Sequence, residues 1–231
     1  FKTMSSEILI SLVTLIFLEI ILGIDNIIFI SLLTDKLPAE NRKKARLIGL
    51  SLALVLRLIL LAGISWILKL DQTLFTVSGY SFSGKELILI AGGLFLLYKS
   101  SKEIFEKTKN KHHQDNIKSK TSFGNTIGQI LLLDLVFSID SIITAVGLVD
   151  ELWIMYVAVI VSISIMLAIS KNISNFINKH PSLKILALAF LMMIGLTLIA
   201  EGFKLHIPKA YIYFSMAFSF FVNMIQIRKK V

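Results

Sequence analysis

Long apolar runs alternate with short charged segments along the whole chain. Each run approaches the roughly 20 residues that an α-helix needs to cross the hydrocarbon core of a bilayer. This pattern predicts an all-α, polytopic membrane protein with about seven transmembrane helices. The predicted spans are residues 7–33, 47–68, 84–98, 123–149, 152–170, 183–200 and 208–227.

The composition supports this class. Hydrophobic residues make up 55% of the 231 positions, and charged residues make up only 17%, against about 25% in soluble domains. The net charge of +9 would suggest a nucleic-acid partner in a soluble protein, but here the basic residues cluster in alternate loops. We therefore expect a lipid bilayer around the chain and no nucleic-acid partner. Cysteine is absent, which excludes disulfides and thiolate metal sites.

Charge placement predicts the orientation of the helices. Most of the 24 basic residues lie in segments 34–46, 99–121, 171–184 and 228–230. Because cytoplasmic loops of membrane proteins are rich in lysine and arginine, we expect these segments to face the cytoplasm. The N-terminus would then lie outside and the C-terminus in the cytoplasm.

Two of the apolar runs contain the same acidic signature: an acid, five residues, an aspartate, a small polar residue and two isoleucines. A charged side chain at the centre of a bilayer costs about 3 kcal/mol on insertion scales, so four unpaired acids would strain their helices. This signature predicts a membrane site that binds cations. Its polar members are Glu19, Asp25 and Asn26 in the first run and Asp134, Asp140 and Ser141 in the fourth.

The repeated signature also predicts the internal organisation. It lies in spans one and four, which have opposite predicted orientations, as in a 3+3 inverted repeat followed by one extra helix. We therefore expect a single membrane domain over residues 1–231. Its predicted parts are repeat one at 7–98, a mobile cytoplasmic linker at 99–121, repeat two at 122–200 and the extra helix at 208–227. The linker contains His112 and His113, for which a solvated role is favoured over metal binding.

The spacing of the acids leaves two arrangements open. Six residues at about 100° each place Glu19 and Asp25 on different sides of a straight helix, and the same holds for Asp134 and Asp140. The acids therefore form either a ladder along the membrane or one site around a helix break. Gly23 is the preferred hinge for such a break in the first span.

A lone basic residue, Arg57, lies near the middle of the second span. A buried cation there would be costly unless a carboxylate faces it. One hypothesis is a permanent salt bridge to Glu19 or Asp134. The other is a gating counter-ion that occupies the acids until the substrate displaces it.

The donor set indicates the class of ion. Carboxylates, an amide and hydroxyls form an all-oxygen set that suits manganese, magnesium or calcium and is poor for copper(I) or zinc. Ligand type alone does not separate manganese from magnesium. The ion is expected as a substrate, with no resident cofactor.

Several motifs together resemble the TerC integral membrane family. They are the run from Leu18 to Ser31, Arg57, the run Leu133 to Ser141, Glu201-Gly202-Phe203 and the stretch from His206 to Tyr213. The resemblance implies a bacterial inner-membrane protein within the wider LysE-like transporter group. It also implies an association with tellurium resistance, from the family's name, and with manganese efflux, from several of its members. It also implies that the six polar residues of the two signatures handle the metal.

The leading hypothesis is a secondary exporter of a divalent cation, with manganese preferred. Asp25 would capture the ion at the cytoplasmic mouth, Glu19 and Asp134 would hold it at the midplane, and Asp140 would release it outside. The alternatives are a membrane partner or stress-resistance subunit with a structural acidic centre, and an exporter of another small solute. An intramembrane aspartyl protease is disfavoured because Gly-x-Gly-Asp is missing, so no enzyme is expected. A homo-oligomer is left open.

Overall fold

The structure is a computed structural model that describes residues 2–77, 80–109, 122–149, 151–205 and 207–228. Within those ranges a few side chains are not described, and that of Asp25 is one of them. The predictions for His112 and His113 lie outside the described residues. The other undescribed side chains are those of residues 2–7, 77, 80, 107, 109, 209, 227 and 228.

The described residues are mostly helical, as the apolar runs predicted. Eight helices and one short hairpin follow each other in the described part of the chain. The elements are α1 (Lys2–Thr34), α2 (Ala39–Ala62), α3 (Ile64–Lys69), β1 (Thr73–Val77), β2 (Tyr80–Ser83), α4 (Gly84–Lys109), α5 (Phe123–Val146), α6 (Leu152–Lys179), α7 (Pro181–Gly202) and α8 (Lys209–Arg228).

Several helices extend beyond their apolar runs. α2 begins at Ala39, α4 continues to Lys109 and α6 continues to Lys179. Lysine, glutamate and arginine are good helix formers, so a helix continues into the charged flank where the hydropathy signal stops. The predicted span 84–98 therefore ends too early: residues 99–109 of the predicted linker are helical, and residues 110–121 lie outside the described residues.

Residues 64–83 also differ from the prediction. The second predicted span, 47–68, is divided at Gly63 into α2 and the short α3. An antiparallel hairpin then follows, in which Phe75 pairs with Phe82 and Val77 with Tyr80. Two short runs rich in Thr, Phe and Tyr around a Ser-Gly pair are the sequence signal for such a hairpin, and the all-α prediction missed it.

Among the residues that the structure describes, five helices are long and apolar enough to cross a membrane: α1 from Ile8, α2, α5, α6 and α7. α8 contains a shorter apolar segment, Ala210–Gln226. The chain therefore has the helices of an integral membrane protein. Seven crossings and an inverted repeat stay predictions.

The helices form two compact units. The first contains α1, α2, α3, α5 and α6 as far as Ser174. It therefore draws on elements from both predicted repeats. Gly49 allows α2 to approach α5 closely, since the Cδ1 atom of Ile130 lies 3.0 Å from the position that a Cβ at residue 49 would take. Part of its apolar core consists of Leu15, Leu61, Ile142, Ile154 and Ala158.

The second unit contains the hairpin, α4, the last turn of α6, α7 and α8. Its main contact joins α4 and α7, where Gly93 and Gly195 face each other. Near one end of these helices, the ring of Phe82 in the hairpin packs edge-on against Phe203, with the ring centroids 5.8 Å apart. This unit is held largely by close helix packing and aromatic contacts.

Candidate functional site

The polar residues of α1 lie on one face of the helix. Glu19, Gly23 and Asn26 follow each other at steps of four and three residues, which places them one above the other. All three are buried. α1 therefore presents a carboxylate and an amide inside the first unit, separated by a position without a side chain.

α5 presents a polar face with the same spacing. Asp134, Ser138 and Ser141 are all buried. Ser138 Oγ donates a hydrogen bond to Asp134 Oδ2 at 3.3 Å, and Ser141 Oγ donates to the Ser138 carbonyl oxygen at 3.2 Å. The serine at the middle position thus orients the aspartate of its own helix.

Arg57 of α2 joins the two faces. Its Nη1 atom lies 2.6 Å from Glu19 Oε2, and its Nη2 atom lies 3.0 Å from Asp134 Oδ1. The Arg57 Nε atom also donates to Asp134 Oδ1, at 3.2 Å. The structure thus brings Glu19 and Asp134 to one place, with a guanidinium between them.

Asn26 completes this group of side chains. Its Nδ2 atom donates to Asp134 Oδ1 at 3.4 Å, so α1 contacts α5 directly as well as through Arg57. Three helices of the first unit therefore meet at a single polar centre. We call Glu19, Asn26, Arg57, Asp134 and Ser138 the polar centre below.

The polar centre is almost completely removed from solvent. Arg57 is 3% exposed, and Glu19 and Asp134 are each 5% exposed. Desolvating three charges is expensive, so such a group is stable only while each charge keeps its partners. The two carboxylates outnumber the one guanidinium. The centre therefore retains a net negative charge when all three groups are ionised.

The other predicted site residues have different positions. Asp140 is half-buried and lies six residues beyond Asp134 on α5, away from the face of Asp134 and Ser138. The Ser141 hydroxyl is already used by a backbone carbonyl. The side chain of Asp25 lies outside the described residues. The structure therefore joins Glu19, Asn26 and Asp134 directly, with Ser141 on the same face of α5 as Asp134.

The predicted helix break at Gly23 is wrong. α1 runs without interruption from Lys2 to Thr34, and α5 is likewise continuous through Ser138. Gly23 instead allows close packing, because a Cβ there would collide with the sulfur of Met166 on α6. With both helices intact, their backbone carbonyls stay in helical hydrogen bonds.

The polar centre does not resemble a ready-made metal site. Among the residues that the structure describes, no three His, Cys, Asp or Glu side chains come together in a way that could hold a metal ion. Glu19 and Asp134 could bind a cation only if Arg57 withdrew from them. The geometry therefore fits an internal counter-ion that occupies the acids.

Sequence reasoning missed two residues near these faces. Ser138 was not among the predicted site residues, although its position four residues after Asp134 indicates a same-face contact. Met166 had no signal along the chain, because its contact with Gly23 depends on how α6 packs against α1. Ser138 could have been found from the sequence, whereas the contact of Met166 could be found only from the tertiary structure.

The sequence as a whole matches a known family. The model of the integral membrane protein TerC family matches residues 4–231. The chain belongs to the TerC family. The resemblance read from the motifs is therefore confirmed, and it covers nearly the whole chain.

Individual TerC relatives are similar over most of this chain. A UPF0053 protein of Haemophilus influenzae is 50% identical over 96% of this chain and 94% of its own length. The UPF0053 inner membrane protein YgdQ of Escherichia coli K12 is 49% identical over 93% of this chain and 90% of its own length. Another relative, the inner membrane protein YoaE of the same organism, is 50% identical over 92% of this chain but only 41% of its own length. No solved structure matches the chain.

Proposed function

We propose that this protein is a secondary transporter that exports a divalent cation, with manganese as the preferred ion, across the bacterial inner membrane. The observation that carries the proposal is the meeting of Glu19 and Asp134, from α1 and α5, at one buried arginine. Membership of an integral membrane family and relatives called inner membrane proteins support the membrane location. The role is transport without chemical conversion.

Arg57 acts as the internal substitute for the ion in this mechanism. A guanidinium and a divalent cation compete for the same carboxylate oxygens, so the ion enters as Arg57 withdraws. Glu19 and Asp134 then hold the ion, with Asn26 and Ser141 as further oxygen donors. Arg57 then returns to the empty acids, which completes the cycle and balances part of the negative charge of Glu19 and Asp134.

The remaining acids lie along the path of the ion. Asp25 captures it on the cytoplasmic side and Asp140 passes it to the outside, with the N-terminus outside and the C-terminus in the cytoplasm. Rocking of the predicted inverted repeats about the polar centre supplies alternating access. A proton enters as the metal leaves, which keeps the charge of the centre balanced.

Transport into proteoliposomes tests this proposal. Wild-type protein should move manganese and dissipate an imposed proton gradient, and Glu19→Gln and Asp134→Asn should each lose at least about 90% of the flux. Glu40→Gln is the matched control, because Glu40 is an exposed acid in the first turn of α2. Equal flux in all four proteins would reject the site, and flux with an untouched proton gradient would reject the coupling.

One observation favours a second function, that of a membrane partner subunit with a structural acidic centre. Both carboxylates that the structure describes at the centre are already paired with Arg57. In this alternative the resistance phenotype associated with the family arises through other proteins. Wild-type manganese accumulation in cells that carry Asp25→Asn or Asp140→Asn would favour it.

A further inference from the structure

Met166 of α6 fills the gap in the polar face of α1. The sulfur and the terminal methyl of Met166 occupy the space that a Cβ on Gly23 would take, and its Cγ lies 3.8 Å from that point. Because Cα–Cβ bonds of a helix tilt toward its N-terminus, this space lies over the turn that joins Gly23 to Glu19. A thioether thus sits on the face that carries Glu19 and Asn26.

The corresponding position of α5 is filled differently. There the middle residue is Ser138, and its own hydroxyl donates to Asp134. On α1 the middle residue, Gly23, has no side chain. The corresponding space is filled by the Met166 side chain of the neighbouring helix α6. Met166 also packs with buried Ile27, Val159 and Ile163, and methionine is a common filler of such gaps. Leucine has nearly the same volume as methionine, so a substitution by leucine keeps the filling and removes only the sulfur.

We infer that the Met166 thioether is a ligand of the transported ion and sets the preference of the site for manganese over calcium and magnesium. This inference rests on the proposed transport function. When Arg57 withdraws, the ion meets the oxygens of the polar centre and this one sulfur. Calcium and magnesium are hard ions that take oxygen ligands, whereas later divalent metals accept softer donors more readily.

A sulfur ligand therefore penalises the hard ions most. Magnesium and calcium would exchange a water or a carboxylate oxygen for a donor that they bind poorly. The affinity of the site for manganese falls less. Its affinity for cadmium, a soft ion of nearly the same radius as calcium, rises. The ratio of cadmium to calcium affinity consequently reports on the sulfur separately from the size of the site.

Calorimetric binding to the purified full-length protein tests this inference. Met166→Leu should lower the affinity for cadmium by about ten- to a hundredfold, the range seen for other groups that tune a metal site. The affinity for manganese should fall by a smaller factor, and the affinity for calcium should stay unchanged. Met155→Leu is the matched control. Met155 lies on the same helix and, like Met166, is 2% exposed, but it belongs to another apolar cluster.

Cadmium X-ray absorption on the wild-type protein gives a readout that needs no variant. A sulfur neighbour should appear in wild type and in Met155→Leu and disappear in Met166→Leu. Wild type that binds manganese and cadmium without a sulfur neighbour would overturn this inference and leave the transport proposal intact. Wild type that neither binds nor transports any of these ions would overturn both.

Discussion

The two units hold their helices together by different chemistry. In the first, α1, α2 and α5 meet at two carboxylates and a guanidinium that are almost fully buried. In the second, α4 and α7 meet backbone to backbone: the Gly195 carbonyl oxygen lies 2.5 Å from the position that a Cβ at Gly93 would take. The second unit also has an ion pair, Lys204 to Glu86 at 3.7 Å, but the lysine side chain is 50% exposed.

This difference is the reason for placing the proposed function in the first unit. Small residues that let backbones approach are a common solution for helix association in membranes, and they involve no charge. Buried charges give no more stability than good apolar packing would, because their desolvation offsets their attraction. The first unit therefore contains a polar group that packing alone does not require, and this supports a functional role there.

The largest expected effect comes from removing the buried cation. Arg57→Met should lower the free energy of unfolding by about 3–5 kcal/mol in the presence of a chelator, because two buried carboxylates are left without a positive charge beside them. Unfolding in mixed micelles measures this. Arg42→Met, on the same helix but half-exposed, should cost less than about 1 kcal/mol.

Manganese should partly restore Arg57→Met, since the ion can replace the missing charge between Glu19 and Asp134. The unfolding midpoint of this variant should rise with added manganese by more than that of wild type. Equal stability of Arg57→Met and Arg42→Met would show that the buried pair contributes nothing.

The next largest effect concerns the helix contact of the second unit. Gly93→Ala should cost about 1–3 kcal/mol, because its Cβ would overlap the Gly195 carbonyl and force α4 and α7 apart. Gly128→Ala is the control, because nothing lies within 4 Å of a Cβ built there. Unfolding curves that rank the two variants the other way would contradict the close contact.

A smaller effect is expected for the hydroxyl that supports Asp134. Ser138→Ala removes its hydrogen bond to Oδ2 and should cost about 1 kcal/mol. Ser164→Ala is a matched control on α6, where an exposed serine donates only to the Ile160 carbonyl. If both variants unfold at the same denaturant concentration, Ser138 does not stabilise the aspartate.

The smallest effect is expected at the exposed ion pair. Lys204→Met loses the ion pair with Glu86 and the hydrogen bond that Lys204 Nζ donates to Ser81 Oγ at 2.7 Å, and it should cost less than about 1 kcal/mol. Lys204 also has a φ of 61°, a conformation that is cheap only for glycine. Lys204→Gly should therefore unfold closer to wild type than Lys204→Met does. A loss for Lys204→Met as large as that for Arg57→Met would remove the distinction between buried and exposed pairs.

Much of the fold could be predicted from local patterns. Apolar runs located the long helices, and the shared acidic signature singled out Glu19, Asn26 and Asp134 before any contact was known. The ends of α2, α4 and α6 were missed because hydropathy reports the part of a helix that avoids water, whereas charged helix formers extend it further. The hairpin was missed because residues 69–83 were treated only as the segment between two predicted spans.

The amino-acid sequence by itself was sufficient to predict the helical class, the family and the main polar residues. These depend on composition and on spacing within one helix. The pairing of Arg57 with Glu19 and Asp134 at once, the continuity of α1 at Gly23 and the position of Met166 are decided only when the helices pack. These contacts join residues that are far apart in the chain, so no local pattern of the sequence predicts them. Whether a glycine bends a helix or admits a neighbour is determined by the side chain that arrives opposite it.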